Sequence, residues 1–254
     1  MKQVSFFFSF FFVFSYSLHS QKVLIDEYPL LTLAESNSVK KKLIEVKRLT
    51  GVDVCCYITR TLGNKSPEAF TVEKGNQMKI GTPGINNAVF IMIAPMEQQL
   101  YITMSYGVQW IIPDQKTDAF IDLMTPSFRD KKYCEGLLKG LEQIEKALSG
   151  FNWVPVKIDI KNTDLSRYIG KVITFDYTNK PARSKLKHPI LTDAEFDRNY
   201  KVSIYNDNRV IAELFYSKSM DNMVNSILSS PAVKIFARVR KVKPNELELL
   251  GITY

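Results

Sequence analysis

Three aspartates, Asp114, Asp118 and Asp122, recur at four-residue spacing. A helix beginning at Asp114 would stack their carboxylates along one face. Like charges so placed cost about 0.2–0.5 kcal/mol per pair in an isolated helix. A bound cation relieves that repulsion, and hard carboxylate oxygens suit Ca²⁺ or Mg²⁺. A plainer reading stays open beside it: Asp114 caps the helix start and complements its dipole, while the other two face water. The chain contains no consecutive calcium-loop motif, so a site would have to be assembled from separate segments.

Other chemistries are narrowed by what is scarce. The chain has two histidines; His19 lies in the leader described below, which leaves His188, between Lys187 and Pro189. A centre of two or three imidazoles within the mature chain is excluded, and a nucleophile–His–acid site would depend on a residue poorly placed to orient a base. The glycine-rich loop at 81–84 lacks the Lys-Ser/Thr pair of a phosphate cradle and leads into a strand, so it reads as a turn. No organic cofactor is expected. Cys55 and Cys56 are neighbours in an apolar run, where alternation sends them to opposite faces of a strand, and Cys134 falls in a later helix. The pattern suits buried thiols; spacing alone leaves a disulfide to Cys134 open.

The elements that position these residues follow from periodicity. An extended lead-in over 26–32 precedes a helix from Ser38, with Val39, Leu43, Val46 and Leu49 as its apolar stripe and Gly51 as its stop. Residues 52–59 and 88–94 are apolar at nearly every position and read as strands buried on both faces. A helix over 67–79 lies between them. Four residues separate 88–94 from a third strand at 99–106, which makes that pair an antiparallel hairpin. A helix from about Gln115 is expected to stop before Pro126. The last helix, 132–148, carries the stripe Leu137, Leu141, Ile144 and Leu148; Gly136 and Gly140, one turn apart, allow another element to pack closely.

A boundary near Ser149-Gly150 is expected, dividing the mature chain into 21–150 and 151–254. The second part turns to β texture: strands at 171–177, 200–205 and 210–216, a helical patch at 219–228, then strands at 233–242 and 247–252. Three strands, a helix and two strands is the order of an OB-type small barrel. Residues 151–254 hold 17 basic and 11 acidic residues, a balance of +6 against +1 for 21–150. Lys234, Phe236, Arg238 and Arg240 alternate with Val233, Ile235, Ala237 and Val239. That basic face suits water, a protein or an anionic surface. A lone Phe is too little for base stacking, so nucleic acid is not an expected partner.

Residues 1–20 carry a single charge, Lys2, and then a Phe-rich apolar run that ends at Leu18-His19-Ser20. The run is shorter than the ~20 apolar residues a membrane span needs. Its anatomy is that of a secretory signal peptide cut after Ser20, which predicts a periplasmic or secreted protein with no transmembrane segment after cleavage.

The pieces over about 26–149 resemble the TPM domain family. The likeness is carried by Ile25-Asp26, Leu49-Thr50-Gly51-Val52, and the 81–87 loop ahead of Ala88-Val89-Phe90-Ile91-Met92-Ile93-Ala94. It continues in Tyr106-Gly107-Val108, Ile112-Pro113-Asp114, Pro126-Ser127-Phe128, Tyr133, Gly136-Leu137-Leu138 and Gly140. None of these is specific alone; their order and spacing are. The resemblance implies an α/β fold with a mixed sheet sandwiched by helices. It also implies an acidic surface cleft that binds a divalent cation, often calcium, with Asp26, Asn86 and Asp114 as oxygen ligands; Asp118, from the helix spacing above, joins them as a candidate. Two departures lower the charge of that cleft: Asn86 stands where an acidic residue is usual, and Lys132 replaces the acid that usually precedes Tyr133.

Family members include exported and thylakoid-lumen proteins, some described as acid phosphatases and others as helpers in assembling or repairing membrane complexes. The resemblance therefore does not fix whether this chain is an enzyme. The leading expectation is an exported accessory or assembly factor that binds Ca²⁺ or Mg²⁺ weakly and contacts a protein or membrane-complex partner. The alternatives are a metal-dependent acid phosphatase and a structural interaction module without metal.

Overall fold

The computed structural model describes residues 23–112, 114–178, 200–206, 209–216, 232–242 and 245–253, with positions 220, 222, 224 and 225. The expected leader at 1–20 and His188 lie outside the described residues. The first sheet has four strands in the order β1 (Leu24–Asp26), β2 (Asp53–Ile58), β3 (Ala88–Ala94), β4 (Gln99–Met104). β1, β2 and β3 run parallel, and β4 returns antiparallel beside β3 as the short connection requires.

Helices cover both faces of this sheet. Val54, Cys56, Val89, Ile91, Ile102 and Met104 share a core with α1 (Leu33–Thr50), α4 (Asp114–Arg129) and α5 (Tyr133–Leu148). Cys55, Tyr57, Phe90 and Met92 point the other way, onto Phe70 of α2 (Pro67–Met78). The adjacent cysteines thus face opposite layers, and none of Cys55, Cys56 and Cys134 is in a disulfide. A one-turn helix α3 (Tyr106–Gln109) follows β4.

Two helix limits differ from expectation. α1 begins at Leu33 rather than Ser38 because Thr32 and Glu35 form a capping box: Thr32 N donates to Glu35 Oε2 at 2.8 Å, and Glu35 N donates to Thr32 Oγ1 at 3.3 Å. The longer helix turns Thr50 into the core and leaves Leu49 half-exposed. α4 continues through Pro126 to Arg129. Proline removes one donor there, but Pro126 and Asp122, whose carbonyl would have accepted, are both exposed, so water can serve the orphan. α5 packs on α4 through its two glycines: a Cβ on Gly136 would lie 2.5 Å from the Phe128 ring, and one on Gly140 would overlap Met124 Sδ.

The second sheet has the order β5–β6–β9–β10–β8–β7, formed by β5 (Val156–Lys157), β6 (Val172–Thr178), β7 (Tyr200–Asn206), β8 (Arg209–Tyr216), β9 (Ala232–Val242) and β10 (Asn245–Thr253). Its last strand lies parallel to β8 and antiparallel to β9, and β9 runs antiparallel to β6. That is the pairing expected of an OB-type arrangement, with helical positions 222, 224 and 225 between β8 and β9. Ile173, Phe175, Ile204, Leu214, Ile235 and Leu249 form its core.

The two sheets meet at a built seam. Gly84 sits at φ +80° against Phe236 of β9, and a Cβ there would lie 2.5 Å from the ring. The Arg238 guanidinium stacks 3.4 Å from the centroid of the Trp110 ring, which packs edge-on against Phe151. The alternating basic face expected to meet water is therefore half consumed: Phe236 and Arg238 are partly buried against the first sheet, while Lys234 remains exposed. Alternation reported which side of β9 these residues occupy. It could not report that another layer would cover that side.

Candidate functional site

Beside edge strand β4 lies a cavity of about 800 Å³. One wall comes from α2, with Glu68 and Val72, and the other from α4, with Asp118 and Ile121. Asn86 and Gln109 of α3 also line it. The loop that presents Asn86 is held by side chains: Thr82 N donates to Asn87 Oδ1 at 2.7 Å, Asn87 Nδ2 donates to the Gly51 carbonyl at 2.7 Å, and Gly81 N donates to Asp53 Oδ2 at 3.1 Å. The 81–84 segment is a turn, as its composition predicts. Asn86 takes the left-handed conformation at φ +52°, which asparagine tolerates better than most residues. Its carbonyl accepts from Gly107 N at 2.9 Å and from the Ser105 hydroxyl.

The expected ligands separate. Asn86 and Asp118 line the same cavity. Asp114 heads α4 one turn before Asp118, at the end of the helix nearer the chain's exit from β4 and α3; its side chain lies outside the described residues. Asp122, one turn further along, is exposed and away from the lining. Asp26 does not join them. It closes β1 level with Ile58, whereas Asn86 lies beyond the row that pairs Asp53 with Ala88, on the far side of β2. Five residues of strand amount to roughly 16 Å, too far for one ion to bridge. The Asp26 carboxylate instead accepts long bonds from Leu30 N and Leu31 N, at 3.3–3.4 Å, and shapes the turn into α1.

Among the described residues no three His, Cys, Asp or Glu side chains converge as a metal site. The cavity offers a hard cation two described carboxylates on opposite walls, Glu68 and Asp118, and one amide oxygen, since Asn86 Nδ2 is committed to the Leu250 carbonyl at 2.7 Å. So few donors fit an ion that keeps most of its water, not one stripped of it. Lys132, the other departure from the family pattern, ends up exposed just before α5. Glu68, Gln109 and Tyr101 of the lining carried no sequence signal that tied them together, because α2, α3 and β4 converge only in the fold.

The family model described as the TPM domain matches residues 24–147. No curated protein matches the chain. Among solved structures, the N-terminal domain of a protein from P. gingivalis is 25% identical, with 51% of this chain and 83% of that one covered and a TM-score of 0.47. BA42 from the psychrophilic bacterium Bizionia argentinensis is 18% identical, covering 46% of this chain and 81% of its own, with a TM-score of 0.43. The N-terminal domain of cg2496 from Corynebacterium glutamicum is 18% identical, covering 51% and 81%, with a TM-score of 0.42.

Proposed function

Residues 24–147 are a TPM domain, and from that premise we propose that the protein is an exported accessory factor. In this reading it takes up a hydrated divalent cation, Ca²⁺ first and Mg²⁺ second, and works through contact with a partner in an envelope or membrane complex. The observation that carries the cation reading is the placement of Asp118 and Asn86 on one cavity, one turn of helix from Asp114. A cation held there would supply positive charge to a cavity whose charged walls are otherwise acidic, leaving open coordination for an oxygen of a partner. Export is read from the leader at 1–20; no described helix is long and apolar enough to cross a membrane.

Calorimetric titration of Ca²⁺ into the chain, beside an Asp114→Ala/Asp118→Ala double variant, tests the reading. Weak binding that disappears in the variant is the expected outcome. Silence to millimolar Ca²⁺ and Mg²⁺ would end the cation reading. Calcium-dependent hydrolysis of a generic phosphomonoester, lost with Asp118→Asn, would replace the accessory role by an enzymatic one.

A further inference from the structure

The cavity beside β4 is lined by Tyr101, Ile102, Thr103 and Met104, four consecutive residues of one strand. Successive strand side chains point to opposite faces, so a cavity on one face touches every second residue. A lining that takes all four runs along the strand's free edge, between the helix layers on either side. The ladder sets which backbone groups look into it. Ser105 N donates to the Ala88 carbonyl at 2.9 Å, so in the antiparallel register Thr103 and Tyr101 bond inward to β3 while Met104, Ile102 and Leu100 turn their N–H and C=O outward. The Gln109 amide, which donates to the Met104 carbonyl at 3.3 Å, confirms that direction.

Such an edge is a template for one more strand, and proteins commonly cover or charge it to prevent pairing. Here the outward groups of Leu100 and Ile102 carry neither a bulge nor a proline. The groove walls are apolar at Val72 and Ile121, and the only formally charged side chains among the described lining residues are Glu68 and Asp118, both acidic. Four strand residues span about 13 Å, the reach of a four-residue extended segment.

We propose that this groove receives an extended segment of a partner protein, which adds as a strand to β4 and places a lysine or arginine against Glu68 or Asp118. Main-chain bonds to Ile102 inside the groove, and to Leu100 one residue beyond its lining, supply affinity, and the acidic walls select the basic side chain. A cation on Asp118 and a basic side chain there would compete, so the inference is tested with the cation removed by EDTA, apart from the calcium titration.

The test uses a phage-displayed library of random dodecapeptides selected on the purified chain in buffer containing EDTA. Enriched peptides should alternate β-branched or aromatic residues with lysine or arginine. N-methylation of alternate backbone amides of a selected peptide should weaken it at least tenfold in one register and leave the other unchanged. The Glu68→Gln/Asp118→Asn double variant should weaken it about tenfold, and bound peptide should slow amide exchange at Leu100 and Ile102. No enriched sequence, or enriched peptides indifferent to N-methylation in both registers, overturns the proposal. So does a dimer of the chain that itself protects those two amides, since a second copy would then occupy the edge.

Discussion

Asn86 Nδ2 lies 2.7 Å from the Leu250 carbonyl, so the amide nitrogen of a residue expected to hold a metal fastens the first sheet to a strand of the second. Gly251, next to Leu250, comes so close to this loop that a Cβ on it would lie 2.5 Å from the Gly84 carbonyl. An aspartate at position 86 would bring a carboxylate up to a carbonyl oxygen, acceptor against acceptor. The departure from an acidic residue therefore has a physical cause within this chain.

Asn86→Asp separates the two roles. Aspartate tolerates the left-handed backbone, so the change removes the donor without much new strain. Stability should fall by about 1–3 kcal/mol, the cost of a lost bond that leaves a part-buried acceptor unserved. Urea unfolding at neutral pH measures it. Calcium affinity, if the cavity takes the ion, should move the other way and rise.

Arg238 joins two groups: the face of Trp110, and the carboxylate of Glu248, its register partner on β10, with Nε to Oε2 at 3.8 Å. Glu248 is buried. Arg238→Ala removes a cation 3.8 Å from that carboxylate and the guanidinium plane on Trp110, and should cost about 2–4 kcal/mol. Arg238→Lys should recover less than half, because an ammonium lacks the flat face that stacks. Full recovery by lysine would assign the effect to charge alone.

Gly140→Ala puts a methyl group into the space of Met124 Sδ. The expected loss is about 1–3 kcal/mol from overpacking at the α4–α5 contact. Adding Met124→Ala should return part of it, and the coupling in a double-mutant cycle reads the contact directly. A Gly140→Ala variant as stable as the parent would mean that the helices can slide apart cheaply.

Burial, with the neighbouring Asp53 carboxylate adding to it, pushes the Cys55 thiol from its ordinary value of 9.0 up to about 12. The folded state thus keeps the proton in a range where the unfolded chain releases it. Cys55 contributes stability that is full below pH 9 and is lost as pH rises toward 12, by roughly 4 kcal/mol at about 1.4 kcal/mol per pH interval. Cys56, fully enclosed, and Tyr57, desolvated and bonded to Glu27 Oε1 at 2.5 Å, shift in the same direction. Chemical unfolding at pH 7, 9 and 10.5 should show a falling midpoint, and Cys55→Ala should flatten part of the decline.

The layers of this molecule were legible in its residues because burial leaves periodic traces. Residues 52–59, whose strand runs Asp53–Ile58, and Ala88 to Ala94 read as doubly buried strands and are so; the Leu137, Leu141, Ile144 and Leu148 stripe is buried; and the five strands after residue 170 fall within two residues of their expected limits. The TPM likeness was also legible, over about 26–149 against a family match at 24–147, since it rests on residue order along the chain. Local chemistry was partly missed where a cap or a solvent-exposed proline overrode a simple rule, at Thr32 and at Pro126. The site depended on the fold. No spacing in the chain says that Asp26 and Asn86 lie at opposite ends of the first sheet, that Asn86 is within reach of Leu250, 164 residues away, or that Arg238 lies on Trp110. Periodicity reports which side of an element is covered; what covers it is set by topology and register, and those are decided only when distant segments pack.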